Sequence, residues 1–353
     1  MVPRAVLLAW VCSACGKVEA EPSSDADSDV DTDGDSDADT DSDTGGDTDT
    51  GPPPLPGAVD VLFVVDTGNA MGEEQGLLTE AAGAFVDALL ASGQLGSLHI
   101  GVTSGDLGAA DAVSGCVGPG DDGALLHVAS GASGCNPDYP RWLDWSADAP
   151  DASIGTHVSC VTSPGTAGCG WEQPFAAAGK AIGVQSEPGG ANGGFLRPGA
   201  VLAVVFIDDE DDCSVGDPQI YEEMGALNLR CHEYPAMLLA VADTASSLHA
   251  RARPDRLVVG AVTGIPPDLL SADWDAILAD TRMQERVDVY GASLEHACDG
   301  PSGPGYPGRR FVELARAVEE AGGFAALGST CAASYAPALG AVADGIAAIL
   351  AAE

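Results

Sequence analysis

Two uninterrupted apolar runs, residues 61–65 (Val-Leu-Phe-Val-Val) and 201–207 (Val-Leu-Ala-Val-Val-Phe-Ile), each stop abruptly on an aspartate. Runs of this length, without polar alternation, suit strands buried on both faces, the condition of interior strands in a parallel sheet. Such strands leave little choice of fold, because both faces must then be covered by helices. In an open sheet of this kind ligands bind beyond the carboxyl ends of the strands. Asp66, the first residue after the first run, is therefore placed where a site is expected.

The rest of the folded part alternates in the way this requires. Leu77, Leu78, Ala81, Phe85 and Leu89 repeat at three and four, the spacing of an amphipathic helix. Further helix faces are carried by Trp171, Phe175, Ala178 and Ile182; by Met237, Val241, Ala245 and Leu248; by Phe311, Leu314, Ala315 and Val318; and by Leu339, Val342, Ile346 and Ile349. Strands are expected at 98–103, 257–262 and 287–294. Together these predict an α/β fold: a doubly wound, mainly parallel sheet with helices on both faces. Residues 105–165 are rich in Gly, Pro, Asp and Ser, hold Cys116, Cys135 and Cys160, and show little periodicity. They read as a disulfide-braced insertion with one short strand at 124–129.

The N-terminal segment has a different character. Arg4, an apolar stretch over 5–11 and then Cys12-Ser13-Ala14-Cys15 have the layout of an export signal too short to span a bilayer. Small residues before Cys15 resemble a bacterial lipoprotein processing site, with Cys15 as the lipidated residue. Residues 16–56 form an acidic stalk, in which Asp alternates with small polar residues from Asp25 to Asp43 before Gly51-Pro52-Pro53-Pro54. Such a composition cannot bury apolar area, and its charges repel one another, so it is expected to be disordered and extended. Asp29-Val30-Asp31-Thr32-Asp33-Gly34 matches the opening of a calcium loop, but Thr40 stands where the closing Glu belongs. The folded domain is expected over 57–353.

Charge and cysteine content narrow the setting. The net charge of −40 opposes binding to nucleic acid and favours cations or basic partners. Ten cysteines, with Cys12-Ser13-Ala14-Cys15 of the export signal as the sole Cys-x-x-Cys, fit an oxidising compartment rather than a zinc site. Setting aside Cys12 and Cys15, the eight others allow 105 pairings. Neighbour pairing is the expectation: Cys116 with Cys135, Cys160 with Cys169, Cys213 with Cys231, and Cys298 with Cys331.

The stretch Asp66-Thr67-Gly68-Asn69-Ala70-Met71-Gly72-Glu73-Glu74-Gln75, with Thr166 in Gly165-Thr166-Ala167-Gly168 and Asp209 after Val-Val-Phe-Ile-Asp, resembles the von Willebrand factor A (vWA) domain. Within that family the resemblance is to bacterial exported lipoproteins with acidic linkers. It implies a metal-ion-dependent adhesion site (MIDAS), with Asp66, Thr166 and Asp209 around Mg or Ca. Gly68 and Ala70 stand where the family's motif has serines, which removes two hydroxyl ligands and makes the motif degenerate. Five consecutive carboxylates, Asp208 to Asp212, follow the second apolar run. They repel one another unless a cation is present, so either a calcium ion sits in this loop or the loop is solvated with only Asp209 turned inward.

Catalytic motifs are absent from the sequence. There is no Gly-x-Ser-x-Gly, no Walker loop and no dinucleotide fingerprint, and His232-Glu233 lacks the second His of a zinc protease. The expectation is a non-enzymatic lipoprotein, lipid-anchored in the bacterial cell envelope at the outer membrane or cell surface. Its vWA-like domain would bind a protein ligand or mediate adhesion with a weakened divalent-cation site. A structural envelope lipoprotein with a non-functional site is the alternative, and a metal-dependent hydrolase built on Asp66 and Asp209 a more distant one.

Overall fold

The computed structural model describes residues 53–110, 112–116, 118–129 and 134–353. Cys15, the export signal and the repetitive acidic stalk with its calcium-loop-like stretch lie outside them. In chain order the elements are β1 (Ala58–Val65), α1 (Gly72–Ala91), β2 (Ser97–Ser104), β3 (Leu143–Ser146), α2 (Ile154–Val161), α3 (Pro174–Ile182), β4 (Val201–Ile207), α4 (Arg230–Glu233), α5 (Val241–His249), β5 (Leu257–Thr263), α6 (Trp274–Ala279), β6 (Cys298–Gly300), β7 (Gly303–Gly305), α7 (Arg309–Glu320), β8 (Phe324–Ser329) and α8 (Ala336–Ala351).

Among the described residues, six strands form one sheet in the order β3-β2-β1-β4-β5-β8. Every neighbouring pair is parallel except β2 with β3, an antiparallel edge. Every residue of β1, β4 and β5 is buried, as the unbroken apolar runs require of strands covered on both sides. Alternation divides β1 between two cores. Val59, Val61, Phe63 and Val65 pack with Leu78 and Phe85 of α1, Val158 of α2 and Val342 and Ile346 of α8. Leu62 and Val64 pack with Phe175 of α3, Leu248 of α5 and Phe311 of α7. Each such buried side chain stabilises the fold by about 1.5–3 kcal/mol relative to exposure. The architecture is thus a mixed, mostly parallel α/β sheet with helices on both faces. No helix among the described residues is long and apolar enough to cross a membrane.

Three sequence-based expectations are corrected. Residues 124–129 are not a strand: one backbone bond, Leu126 N–H to the Val102 carbonyl at 2.7 Å, and the Thr103 hydroxyl to the Ala124 carbonyl at 3.1 Å tie them to β2, and the edge position goes to β3. Residues 287–294 are not a strand either, but a loop closed by a single antiparallel bridge between Val287 and Leu294, with Val289 and Tyr290 exposed at its tip. The last strand of the sheet is β8 instead. Its Phe-Ala-Ala-Leu-Gly-Ser sequence has no β-branched residue, so local propensity does not announce it. The helix expected from Trp171 begins only at Pro174, where proline suits the first helical position.

Four disulfides occur among the described residues: Cys116–Cys169, Cys135–Cys160, Cys213–Cys231 and Cys298–Cys331. The last two follow the neighbour expectation and the first two do not. The loop after β2 runs alongside residues 169–173. Asp106 Oδ2 accepts from Cys169 N–H at 3.0 Å, and Gln173 donates from its backbone to Gly105 O and from its side chain to Gly108 O, each at 2.9 Å. That pairing delivers Cys116 to Cys169 and leaves Cys135 for Cys160 on α2. Four bridges place the domain in an oxidising, exported setting.

Candidate cation site at the strand ends

The parallel register sets the site. Val65 of β1 pairs with Ile207 of β4, so the next residues, Asp66 and Asp208, leave the sheet side by side. Asp66, Asp208 and Asp209 are all buried, and each offers a carboxylate oxygen within 4.8 Å of the other two. Asp66 accepts the Gly68 N–H at 2.6 Å. Asp208 spends one oxygen on the Glu210 N–H at 3.0 Å, while its Oδ2 is buried without a hydrogen-bond partner.

Gln75, buried near the start of α1, clamps two of the loops together. Its Nε2 donates to the carbonyls of Asp66 at 2.9 Å and Gly165 at 2.8 Å, and its Oε1 accepts the Gly165 N–H at 3.0 Å. Gly168 N–H then bonds the Thr67 carbonyl at 3.0 Å. Thr166 lies in this clamped loop, half-buried, with its methyl facing Gly72. No hydrogen bond joins it to the three aspartates among the described residues.

The acidic run 208–212 divides its labour. Asp208 and Asp209 face Asp66, and Glu210 is exposed. Asp211 and Asp212 turn the other way: Asp211 accepts the Arg310 N–H at 3.0 Å, and Asp212 takes Arg310 Nε at 3.0 Å. Asp212 also accepts Phe175 N–H at 3.0 Å, and Ser214 accepts Ala176 N–H at 2.8 Å. These two residues cap α3 from a distant loop, satisfying amides that its own N-cap leaves open. Asp212 therefore has no capacity left for an ion. Of the two readings of this run, the one in which Asp209 alone turns inward is corrected, since Asp208 joins it.

Glu172, not singled out by the sequence pattern, is buried in the same place at 5% exposure, and neither of its carboxylate oxygens meets an N–H or O–H donor of the protein. Its carboxyl lies close enough to Asp66 for the two to share a proton. Burial, and then the charges of Asp66 and Asp208, hold its carboxyl well above the usual range. Burial and the charges of Asp66 and Asp209 do the same to Asp208. Burial pushes Asp209 up to about 8, with the charge of Asp66 adding to it. Asp66 is also raised by burial, which hydrogen bonds from neighbouring groups only partly offset. Thr67 Oγ1 and Glu74 Oε2 are further buried oxygens without a partner.

Buried oxygens without donors are costly in a folded protein. Three mutually close buried aspartates, one with a partnerless oxygen and with the Glu172 carboxylate beside Asp66, fit a hard divalent cation, whose ligands are carboxylates, hydroxyls and carbonyls. Asp208 and Glu172 were legible as acidic residues; their convergence depends on the register of β1 with β4 and on the loop that carries Glu172.

No protein-family model matches the chain. No curated protein matches it either. Among solved structures, the pilus adhesin SpaC from Lactobacillus rhamnosus GG, in its open conformation, is similar with a TM-score of 0.26 and 10% identity, over 47% of this chain and 16% of that chain. The match thus spans under a fifth of the adhesin's length. Fold and site together define an α/β domain with an acidic triad at the carboxyl ends of its central strands.

Proposed function

We propose that this chain is an exported, lipid-anchored envelope protein whose doubly wound, vWA-like domain holds a divalent cation and uses the surrounding loops to bind a protein partner, without catalysis. The observation that carries this reading is the buried triad Asp66, Asp208 and Asp209, with the partnerless oxygens of Asp208 and of the nearby Glu172. Asp66 and Asp209 would hold the ion, with Thr166 as the hydroxyl of the family pattern. Bound there, Mg or Ca would neutralise the carboxylates and fix three loops relative to one another. Asp66, Gln75 and Gly165 already form one hydrogen-bonded unit, so ordering one loop orders the others. The acidic exterior favours a partner with a basic surface.

The test is a melting-temperature scan of the full chain in EDTA, magnesium and calcium, repeated for Asp209→Ala. An ion-dependent rise that disappears in the variant supports the reading, and no rise in the wild type refutes it. For the anchor, labelled fatty acid should enter the wild type and not Cys15→Ala. Equal incorporation would refute lipidation at Cys15.

A further inference from the structure

Gly68 removes a hydroxyl from the motif, and Glu172 lies beside the space that this leaves. A Cβ built on Gly68 would stand 3.1 Å from Asp66 Oδ1 and 3.2 Å from Glu172 Oε1. On the other side, a Cβ on Gly105 would stand 3.2 Å from Glu172 Oε2. The Glu172 carboxylate is thus held in a slot between two glycines, next to Asp66 and 95% buried, with no donor from the protein on either oxygen. Its backbone is fixed as well: the Glu172 carbonyl accepts Cys213 N–H at 3.0 Å, and Trp171 Nε1 donates to the Cys213 carbonyl at 3.1 Å. The side chain is therefore delivered beside Asp66 of the triad by a hydrogen-bonded segment.

We propose that Glu172 is a cation ligand, making the site a four-carboxylate cage of Asp66, Asp208, Asp209 and Glu172 that closes within the chain. This rests on the cation-binding reading above and sharpens it in two ways. A crowded, all-oxygen shell of uneven geometry suits calcium, which takes 6–8 ligands flexibly, better than magnesium, which demands a regular octahedron and keeps its waters. Four negative groups around one divalent ion also leave no attraction for a partner's carboxylate. The partner would then be recognised by the loops rather than by coordination to the ion.

Thermal unfolding of the full chain, disulfides intact, tests this with calcium or magnesium titrated after chelation. Ions held loosely by the acidic N-terminal segment bind folded and unfolded chains alike and do not shift the midpoint, so the shift reports the folded domain. Wild type should show a larger rise with calcium than with magnesium. Glu172→Gln keeps the shape and can donate to Asp66. It should melt higher than wild type in EDTA, yet need about tenfold more calcium or worse for the same rise. Glu172→Asp, with the charge kept but the carboxylate withdrawn by one methylene, should also bind more weakly. If both variants keep the wild-type calcium dependence, Glu172 is not a ligand and the cage is wrong while the cation site stands. If wild type responds to neither ion, the cation-binding reading falls and Glu172 falls with it.

Discussion

Asp66 and Asp208 emerge side by side from two adjacent parallel strands, one residue beyond the paired positions Val65 and Ile207. Like charges so placed and buried cannot both ionise cheaply without a counter-ion. Much of the behaviour expected of this domain follows from that pair and the carboxylates around it.

Cation-free stability should fall as pH rises. The site's buried carboxylates titrate higher when folded than when unfolded, Asp209 moving from 3.8 to about 8. The folded state therefore holds more protons over that interval, so the stabilisation is complete below about pH 4 and is lost as pH approaches 8. Melting in EDTA across pH 5–8 should show a midpoint that declines, while saturating calcium should flatten the curve. A rising midpoint in EDTA would contradict the arrangement.

Asp208→Asn removes one charge from the group while keeping its shape. The variant is expected to melt a few degrees higher than wild type in EDTA, because repulsion among buried charges is relieved. It should also bind calcium about tenfold more weakly or worse. Calorimetric titration beside thermal melts reads both effects, and unchanged affinity would remove Asp208 from the ligand set.

Arg310 is the counter-charge for the other half of the acidic run. Arg310→Met leaves Asp212 buried and unpaired, and Asp212 in turn caps α3 through Phe175 N–H. A loss of about 3–5 kcal/mol is expected in urea unfolding, as for other buried pairs broken on one side. A loss below about 1 kcal/mol would show that Asp212 finds other solvation.

The disulfide map can be read directly. Peptide mapping without reduction should yield Cys116–Cys169 and Cys135–Cys160, not the neighbour pairs. Replacing both Cys116 and Cys169 by Ser should cost about 2–4 kcal/mol. It should also loosen calcium binding, since Cys169 sits three residues from Glu172 in the loop that presents it. Retained affinity would mean that the hydrogen bonds of Gln75 and Gln173 suffice to hold that loop.

The sequence by itself determined the layered α/β plan, because strands buried on both faces read as unbroken apolar runs and their covering helices as a three-and-four repeat. It also marked Asp66, since a carboxylate at the end of such a run is exceptional, whereas Asp209, one residue past the Asp208 that ends the second run, stood out only through the motif resemblance. It did not reveal β8, whose Ala and Gly residues carry no strand preference, nor the pairing of Cys116 with Cys169 across 53 residues. Tertiary structure alone decided which of the five consecutive acids face Asp66. Neighbouring carboxylates look alike in sequence, and their roles separate only when Arg310, the end of α3 and the register of β1 against β4 claim them from different sides. Glu172 belongs to the same lesson. It is an ordinary glutamate in its own segment, and becomes part of a charged cluster only because that segment folds against Gly68 and Gly105.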